Sequence, residues 1–158
     1  TYSSPFVKID CNKIIEGTLS DLEARVNESR GTINVDKLPD IEADSFQMRQ
    51  LFQNLIGNAL KYRKEDVDPV INISAQPDGN GNVVIKIEDN GIGFDEKYKD
   101  RIFRPFERLH GRNEYEGTGM GLAICRKIME NHGGTLLVDS QPGQGACFTV
   151  TFPPNDSP

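Results

Sequence analysis

The sequence predicts a two-layer α/β sandwich, a mixed and mostly antiparallel sheet packed on three long helices, with a mobile loop ahead of the last helix. Three observations carry that expectation. Helix-like and strand-like segments interleave along 158 residues, enough for one domain with one core. Two pairs of strands are joined by short glycine-rich turns, so they are antiparallel hairpins and not the crossover-linked strands of a doubly wound sheet. Each long segment between them carries apolar residues at helical spacing.

Residues 6–10 (Phe-Val-Lys-Ile-Asp) read as a short strand, and Asp10 as the N-cap of the helix that follows, because its carboxylate can accept a free N–H of the first turn. Ile14, Ile15, Leu19, Leu22 and Val26 carry that helix to about Ser29, where Gly31 ends it and opens a strand over Thr32–Asp36. Pro39 interrupts the chain, and Asp44 caps a second helix running to about Arg63. Two strands follow, Val70–Ala75 and Val83–Asp89, joined by a turn that holds Gly79, Gly81 and two asparagines. Glu96–Phe103 reads as a short helix, and 104–117 as a polar, aperiodic, mobile loop. A third long helix spans about Gly119–His132 and stops at Gly133-Gly134. Thr135–Ser140 and Cys147–Phe152 close the domain as a hairpin around Pro142-Gly143-Gln144-Gly145. The domain is expected over 6–153, with residues 1–5 the end of a linker and 154–158 a frayed tail.

Composition narrows the function. The net charge of −6 disfavours a nucleic-acid partner, whose phosphates call for a basic face. No apolar run approaches the roughly 20 residues that span a bilayer, so no direct membrane contact is expected. The three cysteines, Cys11, Cys125 and Cys147, form neither a CxxC nor a Cys/His cluster, which argues against zinc and a disulfide framework and fits a cytoplasmic setting. Thr1 in place of Met suggests a fragment or processed product, and membrane anchoring of the parent stays open.

Three glycine-bearing segments hold the candidate chemistry. On the second helix, Met48, Leu51, Phe52, Leu55 and Ala59 form the core stripe, and Asn54, Asn58 and Lys61 line one edge of it, with Tyr62 beside Asn58. An amide oxygen is a hard neutral ligand of the kind Mg²⁺ accepts along with phosphate oxygens and water. Lys61 could face the phosphates and Tyr62 a base. The same pattern also describes a solvated flank, although asparagine is a poor residue for a helix interior. The second segment is Asp89-Asn90-Gly91-Ile92-Gly93-Phe94. Asp89 continues the inward alternation of Val83, Ile85 and Ile87, and a carboxylate there needs donors, of which an adenine amino group is one. Gly91 and Gly93 permit close approach to a flat ligand and Phe94 adds apolar cover. Asp-Asn-Gly is also common turn chemistry, which does not account for the inward parity. Third, the ladder Gly117-Thr118-Gly119-Met120-Gly121-Leu122 opens the last helix, where free N–H groups and the dipole suit phosphates. It lacks the preceding strand of a Rossmann site and the Gly-Lys-Ser/Thr of a P-loop, and alone such a ladder is often structural.

In this order, the segments resemble the catalytic and ATP-binding domain of sensor histidine kinases over nearly the full chain. Gln50–Tyr62 is similar to that family's N box, Asp89–Phe94 to its G1 box, Arg101–Phe106 to its F box and Gly117–Leu122 to its G2 box, and Gly133-Gly134-Thr135 through Phe148 and Pro153 match its closing segment. The resemblance implies a Bergerat-type fold that binds ATP and Mg²⁺. It implies Asn58 as the metal ligand, Asn54 and Lys61 at the phosphates and Tyr62 at the adenine. Asp89 would read the adenine amino group, with Gly91, Ile92, Gly93 and Phe94 around the ring. Residues 107–117 would form the ATP lid, with Arg108 near the γ-phosphate and Gly117 through Leu122 at its far end. Related gyrase, mismatch-repair and chaperone ATPases place a glutamate, the general base for water, where this chain has Asn54; an amide cannot take that proton, which favours a kinase over a hydrolase. Cys147 stands where the family often has threonine before Phe148, and is expected to weaken an adenine contact.

The resemblance further implies phosphoryl transfer to a histidine. Of the two histidines, His110 falls in the lid and His132 at a helix end, and neither lies in an acceptor-like motif, so the acceptor is expected outside the chain. The implied partners are a dimerisation and histidine-phosphotransfer domain of the same protein and a response-regulator receiver domain. The competing readings are a nucleotide-binding regulatory module without transfer, an ATP-hydrolysing clamp, and a serine kinase of the same fold.

Overall fold

The computed structural model describes residues 6–104 and 121–154. Strand β1 (Val7–Asp10) leads into α1 (Cys11–Asp21), capped by Asp10, whose carboxylate accepts the N–H groups of Asn12 and Lys13. The expected single helix to Ser29 is broken at Leu22 (φ −98°, ψ 5°), so α2 (Glu23–Ser29) is separate and the described residues hold four α-helices where three long ones were expected. Leu22 is itself buried, which keeps both pieces on the core. After β2 (Thr32–Val35) comes a strand that periodicity alone does not reveal, β3 (Asp40–Ala43). It pairs antiparallel with β1, Ile9 opposite Ile41, in a two-stranded ribbon beside the main sheet.

Helix α3 (Ser45–Lys61) starts at Asp44, as expected; the fully buried Asp44 carboxylate accepts from the N–H groups of Phe46 and Gln47 and from Gln47 Nε2. Its stripe of Met48, Leu51, Phe52, Leu55 and Ile56 is wholly buried. Strands β4 (Val70–Pro77) and β5 (Val83–Asp89) form the first expected hairpin, Ile71 opposite Asp89. The expected helix at 96–103 is two 3₁₀ turns, Glu96–Tyr98 and Arg101–Phe103. Helix α4 (Gly121–Asn131) and the hairpin β6 (Thr135–Ser140) and β7 (Ala146–Phe152) complete the chain.

The main sheet runs β2-β4-β5-β7-β6. Among the described residues, only the β2–β4 pairing is parallel, so the sheet is mixed and mostly antiparallel. Ile71, Ile73, Ile85, Ile87, Phe148 and Val150 face the helices and form one core with the α3 stripe and with Cys125, Ile128 and Met129 of α4. Arg49 of α3 bonds to Gly17 O at 2.8 Å and Asp21 Oδ2 at 2.6 Å, tying α1 to α3. His132 forms the joint between α4 and the α3 cap. Its Nε2 accepts the Asp44 N–H at 3.1 Å, so Nδ1 carries the proton that meets Ile128 O at 2.7 Å. Phe6 stacks on its ring with centroids 4.4 Å apart. His132 is therefore a buried structural group and no candidate acceptor.

Candidate nucleotide-binding site

The edge of α3 comes first. Asn54, Asn58, Lys61 and Tyr62 are all half-buried, flanking the stripe as the 100° periodicity requires. Among the described residues no hydrogen bond engages the Asn58 amide. Asn54 lies against the start of α4, its Cγ 3.9 Å from where a Cβ on Gly121 would stand. Beneath it lies the Cys125 thiol, which bonds to Leu51 O at 3.7 Å and is pushed up to about 12, chiefly by burial. That thiol is core filler and chemically inert. Lys61 Nζ sits 5.2 Å from the Tyr62 ring centroid, so the ammonium and the phenol share one place at the C-terminal end of the edge.

The β5 end meets that edge directly. Ile92 donates its N–H to Tyr62 O at 2.9 Å, and a Cβ on Gly91 would stand 2.4 Å from the same oxygen, so only glycine allows this approach. Asp89 keeps the inward parity of Ile85 and Ile87, while Glu88 between them is exposed. Asp89 Oδ1 accepts the N–H of Gly91 at 2.8 Å and of Ala146 at 3.3 Å. Among the described residues nothing donates to Oδ2. Burial raises the Asp89 carboxyl above its ordinary value, and the two backbone N–H groups pull it down in part. Turn chemistry and inward carboxylate therefore coexist, because one oxygen closes the turn and the other is left for a donor.

The β6–β7 turn forms a third wall. Gly93 has φ 65°, and a Cβ there would stand 2.1 Å from Gln141 O. Gly143 donates its N–H to Ile92 O at 2.7 Å, and Phe94 donates its N–H to Ser140 Oγ at 3.0 Å. Cys147 lies on the other face of β7 from Phe148. It pairs with Glu88 and Asp139, both exposed, on the sheet face away from the helices. Ala146, and not Cys147, is the residue opposite Asp89. Counting back by two from the buried Phe148 would have found this. Outside the sheet end, a concavity of about 530 Å³ is bordered by Asp89, Asn90, Glu96, Asp139, Gln144 and Cys147 and does not include the α3 edge.

Three separate segments thus converge, with Asn54 against Gly121 and Tyr62 against Gly91 and Ile92. Leu122, next in α4, is half-buried against the core. Arg108, Gly117, Thr118, Gly119 and Met120, and with them the expected lid over 107–117, lie outside the described residues, as does His110. Among the described residues no group of three or more His, Cys, Asp or Glu side chains could hold a metal by itself. Among the described residues, no helix is long and apolar enough to cross a membrane.

Known proteins resemble this chain in sequence and in fold. Residues 43–156 match the family described as histidine kinase-, DNA gyrase B- and HSP90-like ATPase. Cyanobacterial phytochrome A of Nostoc sp. (strain PCC 7120) is 46% identical over 153 residues, which are 97% of this chain and 20% of the phytochrome. The chain thus spans about a fifth of the length of the phytochromes it matches. Among solved structures, the catalytic domain of histidine kinase ThkA superposes with a TM-score of 0.79 at 26% identity, covering 95% of this chain and 96% of that one. Full-length ShkA in complex with AMPPNP superposes with a TM-score of 0.80 at 27% identity, covering 97% of this chain and 32% of that one. With the family match spanning both the α3 edge and the β6–β7 wall, this chain belongs to the histidine kinase-, DNA gyrase B- and HSP90-like ATPase family.

Proposed function

We propose that this domain binds Mg·ATP and serves as the catalytic half of a two-component sensor histidine kinase, giving the γ-phosphoryl group to a histidine on a separate domain. The observation that carries the reading is the convergence of the α3 amide edge, the inward Asp89 and the start of α4, made by Gly91 against Tyr62 O and by Asn54 beside Gly121. The ligand class is supported by the family match and by the AMPPNP held by ShkA.

Each residue has a physical task. Asp89 Oδ2 accepts the adenine 6-amino N–H, while Oδ1 stays fixed by Gly91 and Ala146. Gly91 and Gly93 let the backbone close beneath the ring, with Ile92 and Phe94 as its apolar margin, and Tyr62 covers the ring from the α3 side. Lys61, Asn54 and the N–H groups at the start of α4 face the phosphates, joined in this reading by Gly117 through Met120 and by Arg108. Asn58 would hold Mg²⁺ through its amide oxygen, a donor set that fits a cation taking its remaining ligands from phosphate and water. Bound there, the ion would neutralise phosphate charge. Asn54, an amide, cannot deprotonate a water, so the γ-phosphate waits for a better nucleophile. An acceptor imidazole nitrogen then forms the N–P bond as the bond from the γ-phosphorus to its bridging oxygen breaks and ADP leaves. The domain supplies position and charge neutralisation.

The partners in this reading are a histidine-bearing dimerisation domain of the same protein and a receiver domain, and the setting is the cytoplasm. The test mixes this chain, a histidine-bearing domain from the same protein and γ-labelled ATP. Acid-labile label on the acceptor supports transfer. ATP binding without label leaves a regulatory module, and steady phosphate release from the chain alone indicates a hydrolysing clamp.

A further inference from the structure

Ser140 is 6% exposed and has no role in the site as described above, yet its three polar contacts all reach the segments around Asp89. Its Oγ donates to Gly145 O at 2.7 Å and accepts the Phe94 N–H at 3.0 Å. Its own N–H donates to Glu96 Oε1 at 3.0 Å. The hydroxyl is thus a two-way staple between the loop after β5 and the turn before β7. The loop carries Gly91 and the turn leads directly into Ala146, the two N–H donors on Asp89 Oδ1. The seam is tight: a Cβ on Gly145 would stand 2.0 Å from Asp89 O, so the two backbones meet with no room for a side chain.

We infer that Ser140 is a positioning residue for purine recognition: by stapling Phe94 to Gly145 it fixes both backbone donors on Asp89 Oδ1 and so aims Oδ2 at the 6-amino group. The inference rests on the proposed ATP reading. Ser140 touches no nucleotide atom in this account and acts only through Asp89. A buried hydroxyl used simultaneously as donor and acceptor has no apolar substitute, because its removal leaves the Phe94 N–H without its acceptor. The released loop then holds the carboxylate over a wider range of positions. An interaction that depends on direction suffers first, and contacts to ribose and phosphate suffer less.

The decisive readout is a ratio. Inosine triphosphate has a 6-oxo group where ATP has the 6-amino donor, so it offers Asp89 no N–H there but keeps the same sugar and phosphates. The affinities of the 158-residue chain for ATP and for inosine triphosphate are measured by calorimetry on wild type, Ser140→Ala and Ser140→Thr, with the folded fraction checked by thermal unfolding. The wild type is expected to prefer ATP by about tenfold or more, as a site built to bond one donor does. Ser140→Ala should bring the preference to within about threefold by weakening ATP more than inosine triphosphate, and Ser140→Thr, which keeps the hydroxyl, should restore it. An unchanged preference in folded Ser140→Ala, or an equal loss in both variants, overturns the inference while the ATP reading stands. Failure of the wild type to bind ATP, or to prefer it, counts against that reading instead. If Ser140→Ala does not fold, Glu96→Ala removes the acceptor of the Ser140 N–H, along with an exposed ion pair to Lys99, from a surface turn. A smaller fall in preference there supports the staple, and none overturns it.

Discussion

Replacing Gly91 by alanine tests how the α3 edge and the Asp89 loop are joined. The Gly91 φ is not in the left-handed region, so the cost of an added methyl comes from its neighbours and not from backbone strain. It would stand 2.4 Å from Tyr62 O and 2.9 Å from Asp89 Oδ1, whereas ordinary contact begins at 3.4 Å. Neither neighbour is the far end of a flexible chain, so the loop must retreat from α3 by the difference, about 1 Å. That retreat stretches the 2.9 Å bond from Ile92 N to Tyr62 O past useful length. Losing that bond costs about 0.5–1.5 kcal/mol, and relieving the overpacking about 1–3 kcal/mol, so roughly 2–4 kcal/mol of stability should disappear. The same retreat carries Asp89 away from the ring plane, and ATP affinity should fall by at least about tenfold, equivalent to 1.4 kcal/mol. Urea unfolding and nucleotide titration read the two effects separately. Gly79→Ala is the control: Gly79 has φ 85° with nothing within 4 Å of its would-be Cβ, so it should lose only about 1–2 kcal/mol and no affinity. Gly91→Ala with a wild-type unfolding midpoint and wild-type ATP binding would refute the proposed junction.

Asn58→Ala should abolish most of the gain in ATP affinity on adding Mg²⁺, about tenfold, and leave binding in EDTA unchanged; calorimetry with and without the ion checks this. Burial, the leading cause, raises the Asp89 carboxyl above its ordinary 3.8, so the folded chain holds that proton longer than the unfolded chain does. The group therefore costs stability that appears as pH rises through 3.8 and is fully present above the folded value. Bound ATP, donating to the carboxylate, should lower the Asp89 midpoint, and carbon-13 titration of the carboxyl with and without nucleotide measures both shifts. Asp44→Ala should cost about 2 kcal/mol in urea unfolding and Asp10→Ala about 1 kcal/mol or less. Asp44 is buried and serves three donors, while Asp10 is exposed and serves two.

Local patterns in the sequence show α3, both hairpins and the two caps, because each depends on neighbours within a few residues. The Met48–Phe52 stripe, the Asp10 and Asp44 carboxylates and the Gly79–Gly81 turn are all of this kind. What stayed hidden depends on distant pairings. Strand β3 spans only Asp40–Ala43 and exists because β1, some thirty residues earlier, offers it a partner. The break at Leu22 follows no glycine or proline. For the site, the inward parity of Asp89 and the edge position of Asn54 and Asn58 could be read directly. That Ala146 and not Cys147 faces Asp89 required the parity of β7, which begins one residue earlier than its apolar run suggests. Ser140 is an ordinary strand-end serine until Phe94, 46 residues earlier in the chain, is seen on its hydroxyl opposite Gly145.

The two hairpin corners look interchangeable on paper, since each spaces two glycines one residue apart with both at positive φ. They differ in what surrounds them. Gly79 protrudes into open space, whereas the 141–145 corner is wedged against the loop that ends in Phe94. A peptide epitope or fluorophore spliced in at Gly79 should therefore be carried silently, giving a reporter handle on a working domain. Lengthening the other corner by a single residue should blind the domain to nucleotide while leaving its overall architecture standing.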